Sequence, residues 1–345
     1  MEFTAEMIAG FLDGEVIGDK QTKVHTVSSI EAGEAGSLTY LTNPKYEPFI
    51  YTTHASIVLV DKRFEPSQPT AATLVRVDDA GACVLKLLEM YNAAKPRRTG
   101  ISDRAAVSER AEVGDECYVG DFAVVEEGAR IGKGCQIYPQ VYIGRGVTVG
   151  EGATLYPGVK IYEGCVVGAR CILHAGAVIG ADGFGFMPNA AGGFDKIPQL
   201  GNVVIEDDVE IGANTCIDRA KTDSTVIRHG VKLDNLIQIG HNVQIGEHTV
   251  SSAQTGIAGT SKVGRNCFLA GQVGIADHVT VGDRVKIGSK SGIDKNVPDG
   301  EVRLGYPALP GMQYHRASAV FKNLPELVRR VAELEKTIEK LKKEE

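Results

Sequence analysis

His241 and His278 are the two side chains whose type and spacing suit proton transfer to or from a bound substrate. A neutral imidazole accepts a proton near pH 7, because its reference pKa is about 6.5. Gly259 lies between them, eighteen residues after His241. The backbone N–H of a glycine is not shielded by a side chain, so it is well placed to donate to a developing oxyanion. This chemistry requires a fold that brings the three residues together.

An aliphatic residue recurs every six positions from Ile101 to Ile293. The period is interrupted after Ile179 and slips by four residues after Ile217. A fixed hexapeptide period is typical of a parallel β-helix, in which each coil buries its inward face by stacking on its neighbours. The residue four places after each aliphatic is usually small or β-branched, and both positions share the inward face of a strand. The sequence therefore predicts one long apolar core.

Three of the six-residue repeats, or hexads, make one eighteen-residue, three-sided coil. The hexads of this chain therefore predict about ten coils, stacked at ~4.8 Å into a triangular prism. If the slip at residues 221–226 is a bulged loop, the hexads of His241, Gly259 and His278 stack on one face. Gly259 then lies one coil, about 5 Å, from His241, and His278 lies two coils, about 10 Å, from it. Since aliphatic side chains fill the interior, catalytic groups must project from corners, loops or clefts between subunits.

The sequence pattern divides the chain into three segments. Residues 1–98 lack the period and predict a small α/β domain. Residues 99–305 predict the β-helix, with a loop insertion at 181–204, and residues 306–345 predict a helical extension. The polar stretch 95–100 contains helix-breaking residues and is predicted to be a linker.

In the first segment, Thr4 is predicted to cap one amphipathic helix, and Asp78 or Asp79 to cap another. Residues 37–41 and 55–60 read as strands, and the second is apolar enough to be buried on both faces.

After the β-helix, residues 305–310 are predicted to lead out of the prism, and Pro325 to kink or restart the helix that follows. Apolar residues of this helix alternate at three and four positions, which predicts a coiled-coil seam. Its members are Leu324, Leu327, Val331, Leu334, Ile338 and Leu341.

The insertion at 181–204 interleaves glycines with phenylalanines, as in Gly183, Phe184, Gly185 and Phe186. Long loops on a rigid scaffold commonly form sites, so we expect this one to cover a ligand. The alternative is a loop that only caps exposed apolar edges.

Composition restricts the partners and the compartment. A net charge of −7 without a dominant basic stripe argues against nucleic acid. No apolar stretch is long enough for a membrane span and no signal peptide is evident, so we expect a cytoplasmic protein. Five cysteines occupy the small inward position and are predicted to be core residues. They are Cys117, Cys135, Cys165, Cys171 and Cys267.

The histidines also have simpler interpretations. His241 and His278 suit solvated surface positions, and His174, His229 and His248 have outward or corner positions too. We predict no resident metal. A site built from histidines of several subunits, as in the β-helical carbonic anhydrases, stays an alternative.

Four strings of residues resemble one family closely. Residues 179–186, 196–199, 211–219 and 234–242 are similar to the UDP-3-O-(3-hydroxyacyl)glucosamine N-acyltransferases of lipid A biosynthesis, in the hexapeptide-repeat acyltransferase superfamily. The resemblance spans the whole chain and implies a mainly β, left-handed parallel β-helix. It implies transfer of a 3-hydroxyacyl group from acyl carrier protein, as its 4'-phosphopantetheine thioester, to the 2-amino group of a UDP-glucosamine acylated at O3. It implies no further cofactor.

The resemblance also assigns roles within the segment 234–242. His241 matches the general base, and Asp234 is expected to orient its imidazole. Asn235 is expected to bind substrate, and His278 matches a second histidine that contacts the nucleotide sugar or phosphate.

Other roles follow from the same resemblance. Tyr40, Asn43 and Tyr46 match residues that hold uracil, although without it they read as a strand-to-turn segment. Gly292 stands where some relatives carry a bulky residue that limits acyl-chain length, so we expect a long chain. Basic side chains near the last coils are candidates for binding the acidic carrier protein. They are Arg284, Lys286, Lys290, Lys295 and Arg303.

Two other functions stay open at this point. One is O-acyl transfer to UDP-N-acetylglucosamine, which the first segment and its uracil-binding pattern argue against. The other is a non-catalytic β-helical scaffold. We expect a homotrimer, set mainly by the prism.

Overall fold

The computed structural model describes residues 2–93, 96–305 and 311–344. Contacts divide the chain into two compact units, Met1–Arg97 and Arg98–Glu345. Lys95 of the predicted linker and residues 306–310 of the predicted exit from the prism lie outside the described residues.

The first unit is a five-stranded sheet packed against helices, as its α/β pattern predicts. Thr4 accepts a hydrogen bond from the Met7 amide at 3.3 Å, and Asp79 accepts one from the Ala82 amide at 2.9 Å, which confirms both helix caps. Its elements are β1 (Phe3–Thr4), α1 (Ala5–Leu12), β2 (Glu15–Ile17), β3 (Lys23–Val24), β4 (Thr26–Val27), β5 (Ser37–Leu41), α2 (Glu47–Ile50), β6 (Ile57–Asp61), β7 (Thr73–Val77) and α3 (Ala80–Ala93).

The second unit continues with short strands, numbered in chain order. Strands β8 to β21 precede the insertion: Gly100–Ile101, Ala106–Val107, Glu112–Val113, Tyr118–Val119, Val124–Val125, Arg130–Ile131, Gln136–Ile137, Tyr142–Ile143, Thr148–Val149, Thr154–Leu155, Lys160–Ile161, Val166–Val167, Ile172–Leu173 and Val178–Ala181. The insertion contains β22 (Phe186–Pro188) and β23 (Phe194–Lys196). Strands β24 to β39 follow it: Asn202–Ile205, Glu210–Ile211, Cys216–Asp218, Ser224–Ile227, Lys232–Leu233, Gln238–Ile239, Gln244–Ile245, Val250–Ser251, Gly256–Ile257, Lys262–Val263, Phe268–Leu269, Gly274–Ile275, Thr280–Val281, Lys286–Ile287, Gly292–Ile293 and Val302–Arg303.

These strands form a parallel β-helix. With the hairpin strands β22 and β23 left out, every third strand pairs in parallel, so that three sheets of 9, 10 and 11 strands enclose the core in the part of the chain that is described. Ile239 of β29 pairs with Ile257 of β32, which pairs with Ile275 of β35. This register confirms the predicted stacking of the three hexads. The strand register is the same in a left-handed and a right-handed coil, so the left-handedness of this β-helix stays a prediction.

The core is the column of inward side chains that the period predicts. The aliphatic residues from Val119 to Ile287 are nearly all fully buried, and each contributes on the order of 1.5–3 kcal/mol by leaving water. The inward cysteines are confirmed as core residues, because all five are buried and unpaired. Burial raises the pKa of the Cys135 and Cys171 thiols to about 11.

Two departures from the period sit on the same side of the prism. The insertion is an antiparallel hairpin of β22 and β23, and Arg219 anchors its base by donating to the Gly180 carbonyl at 2.8 Å and the Glu163 carbonyl at 3.0 Å. The four-residue slip is a loop at residues 221–223 that ends where β27 begins. It leaves the strands before and after it in register, as expected.

The chain ends in α4 (Gly311–Phe321) and α5 (Leu324–Glu344), so the helix restarts next to Pro325 as predicted. All six predicted seam residues of α5 are exposed. Among the described residues, no helix is both long and apolar enough to cross a bilayer.

Candidate active site

His241, Gly259 and His278 line one cavity of about 720 Å³, so the structure brings these three predicted residues together. Stacked corners of the prism form its floor, and the hairpin forms one wall. Its other lining residues are Asp182, Gly183, Phe184, Phe186, Lys196, Asp218, Gln238, Gly240, Ile257, Ala258, Thr260 and Asp277.

Two glycines hold the half-buried His241 ring between them. A Cβ placed on Gly259 would lie 2.6 Å from Nε2 of the ring, and a Cβ placed on Gly183 would lie 2.8 Å from the Cβ of His241. Both separations are shorter than van der Waals contact allows. The imidazole can occupy this position only because neither residue carries a side chain. Gly183 of the insertion is therefore part of the site.

Asn242 determines which ring nitrogen of His241 carries the proton. Its Oδ1 accepts from the Lys221 amide at 2.9 Å, and its Nδ2 donates to the Thr222 carbonyl at 2.8 Å, which fixes the orientation of the amide. Nδ1 of His241 lies 3.2 Å from this Oδ1. Because the oxygen can only accept, Nδ1 donates, and the lone pair of the neutral ring lies on Nε2. The ring is thus arranged as a base at Nε2.

Asp218 is a half-buried carboxylate in the same cavity. Burial raises its pKa to about 6, and the charge of Asp182 acts in the same direction. A hydrogen bond with Gln238 and the charge of His241 act in the opposite direction. Lys196 of the hairpin forms an ion pair with Asp182, so the hairpin also contributes charge to the cavity.

His278 is exposed at a corner with a left-handed backbone, φ 58°. Its amide donates to the Gly259 carbonyl at 3.2 Å, which ties its coil to the coil below. Its side chain lines the cavity, where it can contact a ligand.

The prediction that Asp234 orients His241 is corrected by the structure of this chain. Its carboxylate accepts hydrogen bonds from the Asn235 amide at 2.7 Å and the Ala253 amide at 3.0 Å. The side chain of Asn235 accepts from the Ala213 amide at 2.6 Å, and both residues line a different cavity. Asp234 precedes His241 by seven positions, and a hexad covers one side of the triangular coil, so the two residues belong to different sides.

Tyr40, Asn43 and Tyr46 lie in the first unit and are exposed. The side chain of Asn43 accepts from the Lys45 amide at 3.1 Å and caps the 3-10 turn Pro44–Tyr46. The strand-to-turn interpretation is thus confirmed. Two aromatic rings and one amide N–H₂ nevertheless remain available to a ligand.

A column of glycines begins beside the cavity. Gln238, a lining residue, pairs in register with Gly256, which pairs with Gly274 and then Gly292. A Cβ placed on any of the three glycines would have no atom within 4 Å. The outer surface of this sheet therefore carries no side chain along three consecutive strands above Gln238.

Comparison with known proteins agrees with this geometry. Residues 21–90 match the family model of UDP-3-O-(3-hydroxymyristoyl) glucosamine N-acyltransferase, LpxD, and residues 110–181 and 260–295 match bacterial transferase hexapeptide repeats. The UDP-3-O-acylglucosamine N-acyltransferase of Porphyromonas gingivalis is 54% identical over 342 residues, 99% of this chain and 98% of that protein. The enzyme of that name from Bacteroides thetaiotaomicron is also 54% identical, over 99% of each chain.

This chain belongs to the UDP-3-O-acylglucosamine N-acyltransferase family.

Among solved structures, the Arabidopsis UDP-N-acetylglucosamine acyltransferase covers 60% of this N-acyltransferase and 71% of its own chain, with a TM-score of 0.54 and 24% identity. That likeness supports the β-helical fold. Among the described residues of the N-acyltransferase, no three metal-ligating side chains are close enough to share an ion.

Sequence reasoning did not assign roles to Asp218, Asn242 and Gly183 in this N-acyltransferase. All three stand in or next to the family strings, but a string does not show which residues meet. The hexad count does provide a signal for Asp218, since it stands on the same side of the prism as His241, one coil earlier.

Proposed function

We propose that this protein transfers a 3-hydroxyacyl group from acyl carrier protein to the 2-amino group of UDP-3-O-(3-hydroxyacyl)glucosamine, a step of lipid A biosynthesis. The observation that carries the proposal is the His241 imidazole, whose Nε2 lone pair is fixed in an open cavity by Asn242. Membership of the N-acyltransferase family supports the choice of substrates.

The geometry suits general-base catalysis of thioester aminolysis. The 2-amino nitrogen attacks the thioester carbonyl carbon, and Nε2 of His241 takes a proton from that nitrogen. The C–N bond forms, the C–S bond breaks, and the imidazolium returns the proton to the leaving thiolate. Atoms and charges balance without a cofactor, and the prosthetic group of the carrier protein enters only as part of the donor substrate.

The tetrahedral intermediate of this reaction bears an oxyanion. The Gly259 N–H is the proposed donor, because Gly259 lies against the imidazole and no side chain shields it. His278 is proposed to contact the nucleotide sugar or phosphate. Tyr40, Asn43 and Tyr46 are proposed to bind uracil through their exposed rings and free amide N–H₂.

The choice of acceptor separates the proposal from O-acyl transfer. Purified protein with 3-hydroxyacyl carrier protein should acylate UDP-3-O-(3-hydroxyacyl)glucosamine and leave UDP-N-acetylglucosamine unchanged, because the reaction needs a free amine at C2. Mass spectrometry of the products measures both reactions side by side. Acylation of UDP-N-acetylglucosamine alone would favour the O-acyltransferase, and no product from either acceptor would favour a scaffold.

The glycine column supports a long acyl chain. It offers a smooth surface of about 14 Å from Gln238 to Gly292 by strand spacing, along which methylene groups can lie. Gly292→Met should place a side chain across its far end. We expect the preference for the longest accepted donor over shorter donors to fall roughly tenfold, the scale of one or two methylene contacts. Competition between 3-hydroxyacyl carrier proteins of different lengths measures the change.

Lys262→Met is the control, because Lys262 holds the equivalent outward position on the neighbouring sheet. Its selectivity should match that of the unaltered protein. If Gly292→Met kept the original selectivity at normal turnover, the acyl chain would not follow this column.

A homotrimer in the cytoplasm is proposed as the working form, with acyl carrier protein docking near the last coils. Lys286 and Lys295 are exposed there. Arg303 and Arg284 already pair with Glu301 at 2.6 Å and Asp299 at 4.0 Å, so they offer less free charge to a partner.

A further inference from the structure

Asp218 lies directly beside the catalytic corner. It ends β26, and the pairing of Cys216 with Gln238 and Ile217 with Ile239 places it opposite Gly240, the residue before His241. Adjacent strands are about 4.8 Å apart. Gly240 has no side chain to separate the carboxylate from the imidazole, and both groups line the same cavity.

The surroundings of Asp218 are unlike those of a surface acid. Its backbone also pairs with Ala181 at the base of the insertion, and the hairpin forms one wall of the cavity that Asp218 lines. Hydrogen bonding by Gln238 favours the ionised carboxylate, and the charge of Asp182 opposes it. With a pKa raised by burial to about 6, the carboxylate is mostly ionised near pH 7 but at a cost in folding free energy.

We propose that Asp218 is a positioning residue that acts through His241, by holding a negative charge beside the ring while that ring carries the proton of the attacking amine. The inference rests on the proposed function. The imidazole becomes a cation when the C–N bond forms and neutral again when the thiol leaves. A fixed anion in a partly water-excluded cavity stabilises that cation and makes Nε2 a stronger base.

The pH dependence follows from the sign of this interaction. An adjacent anion favours the protonated form of the imidazole. Without the anion, the ring therefore stays neutral, which is its active form, down to a lower pH. The same removal weakens the base and lowers kcat. The other ionisable groups that line the cavity with Asp218 are the same in both proteins that are compared. They are Asp182, Lys196, Asp277 and His278.

The test is Asp218→Asn, which keeps the shape and removes the charge. We expect kcat to fall about tenfold and the acid limb of the kcat/KM profile to move to lower pH. Folding raises the pKa of this acid, so at any pH above the pKa it has in the unfolded chain, the acid lowers the free energy of unfolding. The amide lacks this cost, so the unfolding temperature at pH 7 should be unchanged or higher. A purely structural role predicts a lower unfolding temperature and an unmoved acid limb.

Glu126→Gln is the matched control, because Glu126 follows the aliphatic residue of β12 in the same sheet, four strands before β26. Its activity and pH profile should not change. Asp218→Glu retains the charge and should restore the position of the acid limb. Normal turnover and an unmoved limb in Asp218→Asn would overturn the inference.

A measurement without substrate separates this inference from the proposed function. The titration midpoint of the His241 ring, followed by NMR in the substrate-free protein, should move to lower pH in Asp218→Asn. An unchanged midpoint refutes the interaction even if the enzyme is active. A shifted midpoint in a protein that acylates neither acceptor supports the interaction and refutes the proposed function.

Discussion

His241→Asn is expected to lower kcat by about 10²–10⁴-fold, the usual contribution of a general base. An amide cannot take the proton of the attacking amine, and neither Asp218 nor His278 occupies the position of Nε2 between Gly183 and Gly259. The measurement is the rate of product formation with saturating donor and acceptor. Because binding surfaces remain, KM for the acceptor should change much less than kcat.

His248→Asn is the control for this substitution. His248 is exposed, contacts His229 with ring centroids 5.2 Å apart, and does not line the cavity. Its backbone φ of 56° suits asparagine. Both variants should unfold at nearly the temperature of the unaltered protein. Full activity of His241→Asn would rule out general-base catalysis at this residue and favour the scaffold function.

Gly259→Ala is expected to lower kcat/KM by about 10²-fold, because a misplacement of the base by about 1 Å has an effect of this size. The added Cβ would lie 2.6 Å from Nε2 and 2.7 Å from Cε1 of His241. Gly183 blocks the opposite side, so the ring must rotate away from its hydrogen bond with Asn242. Steady-state kinetics and the NMR shifts of the His241 ring measure the two parts of this prediction.

Gly271→Ala makes the same change at the same hexad position, two residues after the aliphatic of β34. The nearest atom to its Cβ would be the Ala253 carbonyl oxygen at 3.5 Å, an ordinary contact. It should keep its activity. Equal activity of both alanine variants would show that the ring is not confined by Gly259.

The six-residue period was sufficient to predict the β-helix and the meeting of His241, Gly259 and His278. Stacking makes this possible, because each hexad repeats the same two inward positions and so transmits the register over long distances. The insertion and the slip did not disturb the prediction, since both leave the prism at a corner and return to it.

The environment of Asp218 could not be predicted in the same way. In the sequence it is an acid at an outward position, and neither its partial burial nor the cavity it shares with the hairpin follows from the period. The tautomer of His241 likewise depends on the loop at 221–223, whose backbone holds the Asn242 amide. Both properties arise from backbone that departs from the period, where a periodic pattern carries no information.

The error on Asp234 has a different origin. Similarity to a family segment suggested that neighbours in the string cooperate, but in a triangular coil residues one hexad apart face different directions. Counting hexads along the string separates Asp234 from His241 and connects His241 to Gly259.

The constant eighteen-residue coil also restricts how this molecule can change in length. Gain or loss of eighteen residues translates everything beyond it by about 4.8 Å, keeps each residue on its side of the prism and preserves every facing pair that does not span the change. Gain or loss of six residues between Asp218 and His241 instead rotates all later coils by a third of a turn, which would carry His241 away from Asp218. Length variation that preserves activity should therefore come in whole coils, or in loops such as the hairpin that leave the prism and rejoin it in phase.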